Sequence, residues 1–221
     1  MRMRWSLAVV LFTLAATTAA SAQRRTYDGA TTSGRYSLLG SDTVPVGQDV
    51  ASGEFGWPSI SFGVTHGYTS RSDIGIKFDL NYGFEYATAV TQFGIGLRVP
   101  LRYMAYRRDR IGVLLHVDPG IKLYTTSPAI FGLQWPIGVT LGYTASPELN
   151  VAFGLELPMF LNVTPSPVSM FLGPLFGPAF EYHVDRQLAV GLNTRFGPIF
   201  NTSGGGSQFG MIMQLMLAYR L

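Results

Sequence analysis

The sequence contains no cysteine. That absence excludes disulfide staples, thiol nucleophiles, thiolate metal ligands and a lipid anchor on an N-terminal cysteine. Charge is also sparse. Asp, Glu, Lys and Arg make up only 13% of the 221 residues, where a typical soluble domain carries about 25%. Long apolar runs are missing after residue 22; none reaches the roughly 20 residues that a spanning helix needs. A membrane reading of this chain is therefore a β-barrel reading.

What the chain does have is a leader-like start and long alternating stretches. "MRMRWSLAVVLFTLAATTAASAQ" carries Arg2 and Arg4, an apolar run from Leu7 to Ala16, and the small residues Ala20-Ser21-Ala22. This is the pattern of a secretory signal peptide over 1–22, cleaved after Ala22, with one all-β domain over 23–221. Removing Arg2 and Arg4 from the 16 basic residues leaves 14 against 13 acidic ones, a net charge of +1. The basic balance of the full chain thus gives no reason to expect a nucleic-acid partner.

In "FGIGLRVPLRYMAYRRDRIGV" (93–113), Phe93, Ile95, Leu97, Val99, Leu101 and Tyr103 alternate with Gly94, Gly96, Arg98, Pro100 and Arg102. Period-2 alternation predicts a strand. Similar units fall near 55–69, 74–86, 91–106, 110–124, 130–144, 148–162, 169–184, 186–200 and 208–221. Their connections alternate in kind. Ser70-Arg71-Ser72, Arg107-Arg108-Asp109, Ala145-Ser146-Pro147 and Asp185 are tight and polar, as periplasmic turns are. Ala87-Thr88-Ala89, Thr126-Ser127-Pro128, "TPSPV" and "NTSGGGS" form the other set. For the last strand to end at the periplasm, an upward strand must precede 55–69. "RYSLLGS" (35–41) is the candidate, with 42–54 as the longest outer loop. The expected architecture is an up-and-down antiparallel transmembrane β-barrel of ten strands, with eight and twelve as alternatives.

The charges decide which face looks inward. Lys77, Asp79, Glu85, Arg98, Arg102, Asp118, Lys122, Glu156, Glu181, Arg195 and Arg220 share the parity of the glycines. The opposite parity reads Ile74, Ile76, Phe78, Leu80, Tyr82 in one strand and Leu149, Val151, Phe153, Leu155, Leu157 in another. A lipid-facing Arg or Lys costs roughly 2–4 kcal/mol at midplane, so the charge-free face is expected to meet lipid. Glycine inside a narrow barrel leaves room for a neighbour's long side chain. Tyr68, Tyr82, Tyr86, Tyr103, Tyr124, Tyr143, Tyr182 and Tyr219 lie near strand ends, where aromatic girdles form. Pro58, Pro100, Pro119, Pro136, Pro158, Pro178 and Pro198 fall inside strands, which predicts bulges or broken ladders at those points.

With its leader, its one-sided charge pattern and the C-terminal alternation "QFGMIMQLMLAYRL", the chain resembles the small bacterial outer-membrane β-barrel proteins, the porin-like class. It departs from their terminal aromatic by ending in Leu221. The resemblance implies outer-membrane lipids and lipopolysaccharide as surroundings, the barrel-assembly machinery as partner, and a monomer. It does not choose among anchors, narrow channels, adhesins and lipid-modifying enzymes.

Chemistry is poorly signalled. His66 shares the lipid-facing parity near the turn side. His183 lies two residues from Glu181 without a serine at matching spacing, and His116 with Asp118 lacks a third metal ligand. "GGG" (204–206) precedes a strand and is no phosphate cradle, and "RRDR" (107–110) reads as a turn. No catalytic residue, metal or cofactor is expected. The function expected is a structural or small-solute barrel with a narrow or plugged lumen. The alternative is an outer-membrane enzyme or a surface-binding barrel. Antiparallel counting places Arg98 opposite both Asp79 and Asp118, and Glu156 at the height of Arg195 with Gly177 between them.

Overall fold

The structure is a computed structural model that describes residues 36–40, 42–84, 91–164, 168–202, 204 and 206–221. The expected leader, Tyr86 and the loop residues 87–89 lie outside the described residues. Fifteen strands follow one another: β1 (Asp49–Trp57), β2 (Ser59–Thr69), β3 (Ser72–Asn81), β4 (Gly94–Arg98) and β5 (Leu101–Arg108). Next come β6 (Ile111–Val117), β7 (Gly120–Tyr124), β8 (Ile130–Gln134), β9 (Ile137–Thr144) and β10 (Leu149–Leu157). The series ends with β11 (Met159–Thr164), β12 (Ser169–Leu172), β13 (Leu175–His183), β14 (Leu188–Asn201) and β15 (Ser207–Arg220).

All strands join one antiparallel sheet, in the order β12-β11-β8-β7-β4-β3-β2-β1-β15-β14-β13-β10-β9-β6-β5. Two further pairings, β12 with β14 and β3 with β5, give both ends of that series a second partner. The pairings thereby include a ring of 12 strands. Among the described residues there are no helices.

Proline explains why strand segments outnumber the alternating stretches. β4 and β5 are separated at Val99-Pro100, β6 and β7 at Asp118-Pro119, and β8 and β9 at Trp135-Pro136. β10 and β11 part at Pro158, and β12 and β13 at Gly173-Pro174. The breaks face one another. Arg98 pairs with Gly120 and Leu101 with Val117, so 99–100 lies against 118–119. Gly120 pairs with Gln134 and Val117 with Ile137, which carries the row to 135–136. Proline has no N–H, so it cannot donate to the ladder, but its carbonyl still accepts. Gly75, Val99 and Asp118 donate their N–H groups to the carbonyls of Pro100, Pro119 and Pro136 at 2.8, 2.8 and 2.9 Å. Half of each ladder rung therefore survives.

Three expectations need correction at the N-terminal side. Residues 36–40, the described part of "RYSLLGS", form bends and no strand. The 55–69 stretch is two strands, with a hairpin at Trp57-Pro58 where Gly56 pairs with Ser59. The antiparallel partner is β1, which takes up 49–54 of what read as the outer loop and closes against β15 through Val50↔Arg220 to Trp57↔Met213. β1 has no apolar stripe to betray it, because Ala51 and Gly53 stand where its neighbours carry large side chains. Gly56 is required there: its φ is +143°, and a Cβ would come within 2.2 Å of the Met213 carbonyl.

The two faces are buried in reverse of a soluble protein. On β3, Ile74, Ile76 and Phe78 are 40%, 55% and 40% exposed, whereas Asp73 and Asp79 are 2% and 1% exposed. Lys122, Gln134, Glu181, Arg195 and Gln214 are buried too, while Phe153, Leu155, Leu215 and Leu217 are exposed. The glycine-bearing face is the enclosed one. Six of the girdle tyrosines are exposed, but Tyr124 is completely buried. It shares the parity of Lys122 and points inward, so its inclusion among outward aromatics is corrected.

Candidate functional site

Arg98 and Asp79 lie on adjacent strands, where Lys77 pairs with Arg98 and Asp79 with Gly96. Gly96 leaves the space beside Asp79 open, and Arg98 reaches diagonally into it. Nε donates to Oδ2 at 2.7 Å and Nη2 to Oδ1 at 2.6 Å. This is the forked geometry that a planar guanidinium makes with a carboxylate. Ser61 Oγ donates to the same carboxylate at 2.6 Å. Asp118 approaches from the other side, with Oδ2 at 3.7 Å from Nη1. The structure thus brings Asp79, Arg98 and Asp118 together, with Asp79 as the tight partner. Beside them Lys77 donates to Glu54 at 2.5 Å.

Arg195 and Glu156 are arranged differently from expectation. Glu156 has the His116 imidazole beside it, Nε2 to Oε2 at 3.9 Å, and it makes no salt bridge to Arg195. The space beneath the Arg195 guanidinium is provided by Gly154, not by Gly177, since a Cβ on Gly154 would come within 2.2 Å of Nη2. Arg195 spends Nη1 on backbone, donating to Gly177 O at 2.9 Å and Thr194 O at 2.7 Å. The cause is Pro178. The β13–β14 ladder runs from Phe176↔Phe196 to Ala179↔Asn193 and skips the rung between them. Pro178 cannot donate to the Thr194 carbonyl, so the guanidinium does so instead, and Thr194 Oγ1 donates to Pro178 O at 2.7 Å. An unpaired carbonyl in that wall is costly; Arg195 removes the cost.

The segment before β1 lies against the enclosed face at the end bearing the tight turns. The Tyr36 hydroxyl donates to Gln187 O and Ala218 O at 2.8 and 2.9 Å. Ser37 Oγ and Leu38 N donate to the two oxygens of Glu181 on β13, at 2.5 and 2.9 Å. On the opposite part of the ring, Arg102 donates to Leu38 O at 2.8 Å and grips Asp73 with Nε and Nη2 at 2.7 and 2.6 Å. Asp73 in turn accepts from Val44 N at 3.0 Å. Arg107 donates to Asp42 at 2.7 Å. Burial pushes the Asp42 carboxyl above its ordinary value, with Arg107 pulling the other way. A second closure stands at the loop end, where Phe84, Tyr124, Phe160, Leu175 and Ile199 form a buried cluster with Ile130, Phe171 and Ile212 packed on it. Between the closures is a cavity of about 150 Å³. Arg98, His116, Asp118, Glu156, Asn193 and Arg195 face it, and Leu38, Leu39 and Gly40 close one side.

Sequence reading missed this segment, and with it the serine that reaches Glu181. Ser37 and Glu181 are 144 positions apart, and no local pattern links them. The cluster Ser37, Glu181 and His183 does not read as a catalytic set. Ser37 donates to the carboxylate rather than to the imidazole, and all three side chains are at most 1% exposed. His183 packs edge-on against the Tyr36 ring at 5.4 Å. His66 stays on the outer face, with Nδ1 at 2.8 Å from Asp49 Oδ1. Among the described residues, no group of three or more His, Asp or Glu side chains is placed to hold a metal ion. No family model matches the chain, and its comparison with curated proteins finds no match.

Proposed function

We propose that this chain is an integral outer-membrane β-barrel of ten strands whose lumen is occluded, and that its role is structural rather than that of an open pore. The observation that carries the reading is the inverted burial. A continuous apolar face is exposed around the ring while carboxylates and guanidiniums are enclosed. In water such a surface, far larger than the few hundred Å² that soluble monomers leave bare, drives association; in a bilayer it is the required one. The strand number follows if the segments parted by Pro100, Pro119, Pro136, Pro158 and Pro174 are each joined into one spanning strand. β1, β2, β3, β14 and β15 then complete ten, an even number that leaves no free edge. Occlusion follows from the aromatic cluster at one end and residues 36–44 at the other. Exclusive recovery of the mature protein from the soluble periplasm overturns the membrane reading. The test is refolding into lipid vesicles, followed by electrophoresis with and without boiling and by planar-bilayer recording. The expected result is a heat-modifiable band and no steady conductance; a steady open conductance overturns the occluded reading.

A further inference from the structure

We propose that the cavity between the two closures is a binding site for a small zwitterion, one carboxylate and one ammonium group on a compact body such as a small free amino acid. The proposal rests on the occluded-barrel reading. Most charges around the cavity are already paired: Lys77 with Glu54, Arg98 with Asp79 and, at 3.7 Å, with Asp118, and Arg102 with Asp73. Two are not. Among the described residues Arg195 has no carboxylate within salt-bridge distance; Nη1 serves the backbone, and Nε and Nη2 have no acceptor. Among the described residues Glu156 accepts no hydrogen bond, and the basic side chain nearest it is the His116 imidazole at 3.9 Å. Asn193, two residues before Arg195 on the same face of β14, lines the same cavity, and its Oδ1 is cut off from solvent without a partner.

These groups sit within reach of one small molecule. The Arg195 guanidinium rests over Gly154. Glu156 follows on the same face of β10, two residues along, a step of roughly 7 Å in a strand. A lone anion at Arg195 would face the carboxylates of Glu156 and Asp118. A lone cation at Glu156 would face Arg195. A zwitterion satisfies both, its carboxylate accepting from Nε and Nη2 as a fork and its ammonium donating to Glu156 and to Asn193 Oδ1. Its way in is past Leu38, Leu39 and Gly40, a segment outside the strand ladder whose two leucines pack on the apolar cluster around Val50 and Met216.

The test uses protein refolded in detergent and shown to be folded by its heat-modifiable migration. L-alanine, acetate and methylammonium are titrated separately by calorimetry. L-alanine is expected to bind saturably, at least about tenfold more tightly than either single-charge probe. Glu156→Gln is expected to bring L-alanine down to the level of acetate. Asn193→Leu, which removes the unpartnered acceptor and no charge, is expected to weaken L-alanine and leave acetate unchanged; it stands in if Glu156→Gln does not fold. Equal binding of acetate and L-alanine overturns the proposal in favour of a plain anion site, and no saturable binding overturns it in favour of trapped water. A chain that never becomes heat-modifiable fails the barrel reading, whereas a folded barrel that ignores L-alanine fails this proposal alone.

Discussion

The two ends of the enclosed face share an apolar cluster each but differ in what is added to it. At the loop end, side chains carried by the wall itself meet edge-on, with Phe84 centred 5.4 Å from Tyr124 and 5.3 Å from Phe171. At the turn end, a separate stretch of chain is hydrogen-bonded to Glu181, Asp73 and Arg102. The first closure forms as the sheet closes, because all its buried members but Phe84, which follows β3, are already on the strands, and its strength is apolar burial. The second requires a segment to be ordered, which costs conformational entropy; its strength joins charge-assisted hydrogen bonds to a buried apolar cluster of Tyr36, Val44, Val50, Ala189, Met216 and Ala218. One glycine-rich face therefore supports a closure indifferent to ionisation and another that depends on it in part.

Breaking one member at each end gives the largest expected effects. Arg102→Ala leaves Asp73, whose side chain is 0% exposed, without its cation. Removing one partner of a buried pair costs about 3–5 kcal/mol. Phe160→Ala, at a fully buried position in the aromatic cluster, is expected to cost about 3–5 kcal/mol as well. Urea unfolding in lipid vesicles measures both. The comparison sharpens in the rescue. Asp73→Asn added to Arg102→Ala should recover much of the loss, because no buried charge is then stranded, and no charge neutralisation elsewhere should help Phe160→Ala. Absence of rescue in the first case removes the electrostatic account of the turn end.

The outer wall supplies the next effect. Leu155 is exposed on β10, between the enclosed Gly154 and Glu156. Leu155→Arg is expected to cost about 2–4 kcal/mol of insertion if this face meets lipid at midplane. Folding yield into vesicles measures it; a yield equal to wild type would show that the face does not meet lipid.

The wall was legible in the sequence because its signal is repetitive. Asp79, Arg98, Lys122 and Glu181 all share the parity of glycine, and one charge on the other parity would have blurred the face. Arg98 against Asp79 and Asp118 was legible for the same reason, since antiparallel counting transmits a position from strand to strand. Counting failed at Arg195, because it places residues at a height but says nothing of an empty carbonyl. Pro178 removes a donor one strand away, and Arg195 answers that vacancy before it answers Glu156. β1 stayed hidden because Ala51 and Gly53 give no apolar stripe. The turn-end closure stayed hidden because Ser37–Glu181 and Val44–Asp73 are non-local contacts of a segment without period.

That closure is open to a finer test, because a chain without cysteine accepts a single reporter thiol. Leu39→Cys places one at the side of the cavity. It is expected to resist a membrane-impermeant maleimide in the otherwise native protein. Adding Glu181→Gln weakens the acceptor of both Ser37 Oγ and Leu38 N, a loss of about 1–3 kcal/mol from one buried polar site. Labelling should rise while urea stability of the barrel stays close to that of the Leu39→Cys protein. Unchanged protection would mean that Glu181 does not hold the segment down.

The smallest expected effect is a dependence on pH, and its direction runs against the usual one for a salt-bridged carboxylate. Asp42 accepts from Arg107 at 2.7 Å, which by itself would hold its carboxyl low. Burial is the larger influence and raises it. A carboxyl raised in the docked segment ionises later there than in the free segment. Its contribution to docking is therefore fully present below the ordinary carboxylate range. It is lost as pH rises from that range through the raised value. Asp42→Asn holds the site neutral at every pH and isolates this contribution, because every other group of the segment and the wall is the same in both proteins. In the Leu39→Cys background, Asp42→Asn should be the better protected at neutral pH, and the difference should vanish on acidification. Rates are normalised to labelling of the unfolded chain at each pH, which removes the thiol's own ionisation. If Asp42→Asn is instead the less protected at neutral pH, the Arg107 pair outweighs burial, and the turn end is held by charge even at its rim.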